Sequence, residues 1–181
     1  MVQRYTQLEM RIIKSNSLGN KELLIHFLYF CKNLSSKDMI QFHIKRKFNL
    51  YPKLMYKRWL RHLIESKNYR CGNINYIFCD DEYLLELNEK FLKHDTFTDI
   101  ITFEENEGKT ISGDIFISID RVQENANKYK ISFENELLRV MAHGVLHLCG
   151  YKDKNSSDRK EMRIQEDLAI ALFKEEQKNN N

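Results

Sequence analysis

Between Met39 and Phe173 the spacing of apolar positions changes several times, and each change marks an element. "MIQFHIKRKF", opening at Met39, reads as the first strand. Tyr56, Trp59, Leu60 and Leu63 recur at the helical step while Lys57, Arg58 and Arg61 face away, which predicts a helix from about Pro52 to Ser66. Pro52 suits its first turn. "NINYIFC" (Asn73–Cys79) alternates as a strand, and "DDEYLLELNEKFLKH" reads as a helix capped by Asp80 or Asp81. "DIITF" and "GDIFIS" flank the polar turn "ENEGKT" and are expected to pair as strands. "DRVQENANKY" predicts a helix, Ser132 caps a long one ending at Leu148, and a last helix runs from near Ser156 to about Phe173. Strands come early and helices late, so the expected class is α+β.

With 181 residues, 42% hydrophobic, the chain can bury one ordinary core and hardly two. Six glycines and one proline exclude collagen-like or Pro/Gly-rich disorder. No apolar run approaches the roughly 20 residues that span a bilayer. "ELLIHFLYFC" is too short for a signal peptide, is broken by His26, and has no small-residue cleavage site after it. Cys31, Cys71, Cys79 and Cys149 form no CxxC pair and read as reduced thiols of a cytoplasmic protein. Three segments are expected: an N-terminal extension over 1–38 (a peripheral helix or an over-long start), a domain over 39–173 and a polar, frayed tail over 174–181.

The net charge of +3 is small, but it is unevenly placed. Lys45 to Arg70 holds nine Lys/Arg and one acid; Asp80 to Glu107 holds ten Asp/Glu against Lys90 and Lys93. A basic stretch beside an acidic one points to a polyanion partner, against the alternative of a solvated helix face. Asp99 and Asp114 read as turn or strand-end hydrogen-bonding residues.

"MAHGVLHLCGYKDK" carries the chemistry. His143 and His147 share a helix face, opposite Leu137, Met141, Val145 and Leu148, which the core should claim. Gly150 can take the left-handed conformation that ends a helix, and Asp153 can then swing back toward the imidazoles. His-x-x-x-His-x-x-Gly-x-x-Asp thus supplies three ligands and an open fourth position, the layout of catalytic zinc. HExxH peptidases keep a glutamate as base after the first histidine; Gly144 stands there, which disfavours a metallopeptidase.

These residues resemble the YbeY family of metal-dependent endoribonucleases that act in rRNA maturation and ribosome quality control. "HGVLHLCGYKD" is similar to its HGxLHLxGYDH signature, "LNEKFLKHDTFTDIITF" to its LNxxYRxxDxxTDVLSF block, and "GDIFIS" to its GDIxIS strand. Met162 fits the methionine that follows the family's third ligand. The likeness runs from about Met39 to Phe173. It implies a zincin-like single domain, a mixed sheet flanked by helices, with the metal at the end of one helix. It places His143 and His147 on the first two ligands, Asp153 where the third histidine stands and Lys152 where the family has aspartate. A carboxylate ligand lowers the site's positive charge, so its water should be less acidic than in a three-histidine site. Leu92 stands where the family has an arginine; Lys93, His94 or Arg139 are the candidates to replace it.

The resemblance implies a single-strand-type endoribonuclease with one Zn²⁺ per chain, which activates water against RNA phosphodiesters. Its implied work is 16S 3′-end maturation and ribosome biogenesis in the cytoplasm, with rRNA or the small subunit as partner and a ribosomal protein or GTPase as a further one. Catalysis would then rest on His143, His147 and Asp153 through the metal, with Arg139 as a nearby cation, and RNA phosphates on Lys45, Arg46, Lys57, Arg58 and Arg61. The alternative is a non-catalytic RNA-binding assembly factor with a structural metal.

Overall fold

In a computed structural model of the chain, residues 4–5, 39–93 and 95–178 are described. The sheet is mixed, in the order β1-β4-β5-β3-β2. Its strands are β1 (Arg4–Tyr5), β2 (Ile40–Ile44), β3 (Arg70–Cys79), β4 (Ile100–Glu104) and β5 (Thr110–Ser118). β4 and β5 form the expected antiparallel pair, and the other neighbours run parallel. The helices are α1 (Lys53–Ser66), α2 (Asp81–Leu87), α3 (Ile119–Tyr129), α4 (Phe133–Leu148) and α5 (Ser156–Lys178). The expected α+β class is the one observed.

Alternation along the strands sorts the core into two layers. Ile74, Tyr76, Phe78, Ile100, Ile115 and Ile117 join the larger cluster with α1, α3, α4 and α5. Ile77, Cys79, Ile101, Phe103 and Phe116 face the other way and meet Leu84 and Leu87 of α2. Both faces are covered, so β3 is buried on both sides from Tyr76 to Cys79. Asp80, not Asp81, caps α2, accepting from the Tyr83 N–H (3.0 Å). The helix then widens into a π turn over Asn88–Leu92, closed by Lys93 at φ 55°.

Two expectations need correction. The histidine-bearing side of α4 is not left over by the core: nearly every residue from Glu136 to Leu148 is buried, because α4 lies between the sheet and α5. The last helix also outruns Phe173 and continues to Lys178, where the expected tail should fray. Glu176 is held by His62 Nδ1 at 2.6 Å, which ties that extra turn to α1. The remaining tail residues, 179–181, lie outside the described residues, as does the leader apart from the backbone of β1. No helix among the described residues is long and apolar enough to cross a membrane.

Candidate metal centre

The end of α4, the turn after it and the first turns of α5 meet at one recess. Ser132 starts α4 as expected, its hydroxyl accepting from the Asn135 N–H (3.2 Å). His143 and His147 project from one side of that helix with their rings nearly perpendicular (89°) and centroids 4.5 Å apart. Gly150, at φ +99°, stops the helix: its N–H donates to the His147 carbonyl (2.9 Å) and the Tyr151 N–H to the Leu146 carbonyl (3.0 Å). The chain then turns back, and Asp153 Oδ2 comes within 3.8 Å of His143 Nε2 and 3.7 Å of His147 Nε2. Arg159 holds the returning loop, donating to the carbonyls of Lys154 (2.8 Å) and Asp153 (3.4 Å).

Both imidazoles are oriented from behind. His143 Nδ1–H donates to Glu166 Oε1 (2.6 Å), and His147 Nδ1–H to the Tyr151 carbonyl (3.0 Å). Neither acceptor has a proton to give, so in the neutral rings both Nε2 atoms keep lone pairs. Those two atoms lie 3.0 Å apart, with a carboxylate oxygen completing the triangle. Three electron-rich atoms so close repel one another, and a cation between them reverses the sign. Sides of 3.0, 3.7 and 3.8 Å place the corners about 2.0 Å from a common centre, close to the zinc–nitrogen distance of about 2.0–2.1 Å. The donor set therefore fits a divalent metal.

Glu166 was not among the residues singled out from the sequence. It is 3% exposed, and it lies on the buried stripe Met162, Glu166, Ala169, Phe173 of α5. An acid on an apolar stripe was the available signal; its partner 23 residues away was not readable. Arg139 also reaches the recess, 14% exposed at its side chain. It donates to Glu136 (2.8 and 2.6 Å) and Asp99 (3.3 Å), and lies 3.6 Å from Glu166. Burial pushes its pKa down, but the hydrogen bonds and charge of Glu136, with Glu166 and Asp99 behind, more than offset that and hold it above the usual guanidinium value. The Asp99 carboxylate thus pairs with a cation, beyond the turn role expected of it, whereas Asp114 accepts from Asn75 Nδ2 (2.7 Å).

The five basic residues expected to meet phosphates do not line the recess. Lys45 donates to the Tyr83 hydroxyl (3.1 Å) and Arg46 pairs with Asp120 (2.9 Å), both just beyond β2. Lys57 is half-buried on α1, with Arg58 and Arg61 exposed. The cations lining the recess are Arg139, Arg159 and Arg163. His94 lies outside the described residues.

Gly144 explains itself once α4 is seated. A Cβ there would stand 2.9 Å from both Ile100 Cδ1 and Ile115 Cγ2, so this position faces the sheet. A glutamate at 144 would point into the apolar layer rather than toward the histidines.

Over most of its length the chain is similar to known proteins. The profile of the family described as "Endoribonuclease YbeY" matches residues 40–174. A Flavobacterium johnsoniae protein named Endoribonuclease YbeY is 51% identical over 139 residues, covering 77% of this chain and all of the relative. One from Christiangramia forsetii with the same name is 48% identical over 141 residues, covering 78% and 99%. A Thermotoga maritima protein solved in solution superposes with a TM-score of 0.55 at 32% identity, covering 78% of this chain and 93% of that one.

Proposed function

The chain belongs to the YbeY family of endoribonucleases, and from that membership we propose that it cleaves single-stranded RNA at a zinc site built from His143, His147 and Asp153. One observation carries this reading: two imidazole lone pairs and a carboxylate oxygen converge, with both Nδ1 protons held by fixed acceptors. Two nitrogens and one oxygen suit zinc, one ion per chain, better than the hard all-oxygen sites of magnesium or calcium. Bound there, zinc supplies Lewis acidity, bringing the pKa of water toward neutrality and stabilising charge on the phosphoryl group.

The chain's own residues set the geometry. Glu166 keeps His143 in one tautomer and fixes the orientation of its ring, and the Tyr151 carbonyl does the same for His147. Arg139, clamped by Glu136 and Asp99, sets a fixed positive charge at the wall of the recess. Lys45, Arg46, Lys57, Arg58 and Arg61 supply outlying, sequence-tolerant contacts to phosphates farther along the strand. The substrate we assign is rRNA, at the 3′ end of the small-subunit species, processed in the cytoplasm during ribosome assembly. The catalytic domain we assign covers residues 39–173, with 1–38 an N-terminal extension whose Arg4–Tyr5 backbone adds an edge strand beside β4.

The test is cleavage of a single-stranded rRNA fragment by purified protein, with zinc measured on the same sample. Cleavage should stop with chelator and return with zinc, and Asp153→Ala should carry far less metal than the wild type. Cleavage indifferent to chelator would sink the reading. Glu166→Gln keeps an acceptor but removes its charge, so zinc affinity should fall about 10- to 100-fold in a competition titration; unchanged affinity would mean Glu166 does not tune the ligand.

A further inference from the structure

The first turns of α5 bury Met162 and Glu166 and carry the exposed Arg159 and Arg163 beside them, at the rim of the recess. All four line the recess beside His143 and Asp153. The two arginines are one turn apart, which sets their Cβ atoms about 5–6 Å from each other. Each is anchored by part of its fork. Arg159 Nη1 is held on the Lys154 and Asp153 carbonyls, and Arg163 Nη1 on Glu166 Oε2 (3.2 Å). A guanidinium has five N–H donors, so such an anchor fixes its orientation and leaves an edge for an oxyanion. The Arg163 side chain is 58% exposed, so that edge is open to a ligand from solvent.

The size of the recess narrows the ligand. At about 170 Å³ it falls below the roughly 300–1,000 Å³ that engulf a drug-sized molecule. The guanidiniums of Arg139, Arg159 and Arg163 in its lining suit an anion such as a phosphate group. We infer that Arg159 and Arg163 form a phosphate clamp that grips the RNA backbone directly beside the metal triad. The clamp rests on the proposed RNA-cleaving function and adds to it the path of the strand, along α5. Its contacts are bidentate and blind to base identity, as backbone contacts are.

The test uses zinc-loaded protein and a labelled 2′-O-methyl phosphorothioate oligonucleotide, with affinity read across a salt series. Arg159→Gln/Arg163→Gln should weaken binding about 10- to 100-fold and flatten the log–log salt slope by about 0.7, the contribution of the one phosphate that the pair holds on a single strand. Arg163→Gln alone, which leaves the Asp153 loop held, should flatten it by about half as much with zinc content unchanged. Lys128→Gln on α3 should match the wild type. Wild-type slope and affinity in both arginine variants would overturn the clamp. If the wild type binds the oligonucleotide through these arginines but cuts no RNA, the clamp stands and the proposed function falls.

Discussion

His147→Ala is expected to empty the metal site and lower RNA cleavage by about a thousandfold or more, corresponding to about 4 kcal/mol of transition-state stabilisation. Two effects combine. The substitution removes one of only three donors, leaving His143 and the part-exposed Asp153 as an incomplete cradle. It also strips the Tyr151 carbonyl of the Nδ1–H that holds the turn against α4. His147 is 1% exposed, so alanine also leaves a small cavity, and the melting temperature should drop by several degrees without loss of the fold. Zinc analysis, cleavage rate and binding of the non-cleavable oligonucleotide separate these effects: metal and cleavage should go, binding should largely stay. Cleavage at the wild-type rate would mean that the reaction does not run through the triad.

Gly144→Glu should have the largest effect on folding. Even a methyl at this position meets Ile100 and Ile115 at 2.9 Å, and Ile115 Cγ2, at a branched carbon, cannot swing aside as a chain end would. Overpacking of this kind costs about 1–3 kcal/mol. A carboxylate pushed into the same layer adds several more, or lifts its pKa until it protonates. Against a total stability of about 5–15 kcal/mol, that leaves a marginal or unfolded protein. Gly144→Ala should lose only about 1 kcal/mol, because better helix propensity returns part of the cost. Urea unfolding of the two variants reads both values. A glutamate variant as stable as the wild type would show that α4 stands farther from the sheet. Restoring the peptidase glutamate therefore should not restore a peptidase.

The local grammar of the fold was legible. Period-2 runs marked β3 and β5, helical spacing marked α1, and Ser132 and Gly150 bounded α4 as their chemistry requires. Such signals act over one or two turns, where neighbouring side chains and backbone groups meet whatever the rest of the chain does. The convergence of His143, His147 and Asp153 is of the same kind, since one helix face and one glycine turn bring them together. What surrounds them is not. Glu166 behind His143, 23 residues on, and Asp99 on Arg139, 40 residues back, come from α5 and from the residue before β4, and Arg159 and Arg163 at the mouth come from α5. Spacing along one helix cannot show which other helix covers its polar side, so the histidine face of α4 read as unclaimed until α5 was laid over it. By itself the sequence determined which atoms could hold a metal, because that depends on the i, i+4 step and one permitted backbone turn. Only the tertiary structure decided their tautomers, their burial and the cations around them, because those depend on how α4 is pressed between the sheet and α5.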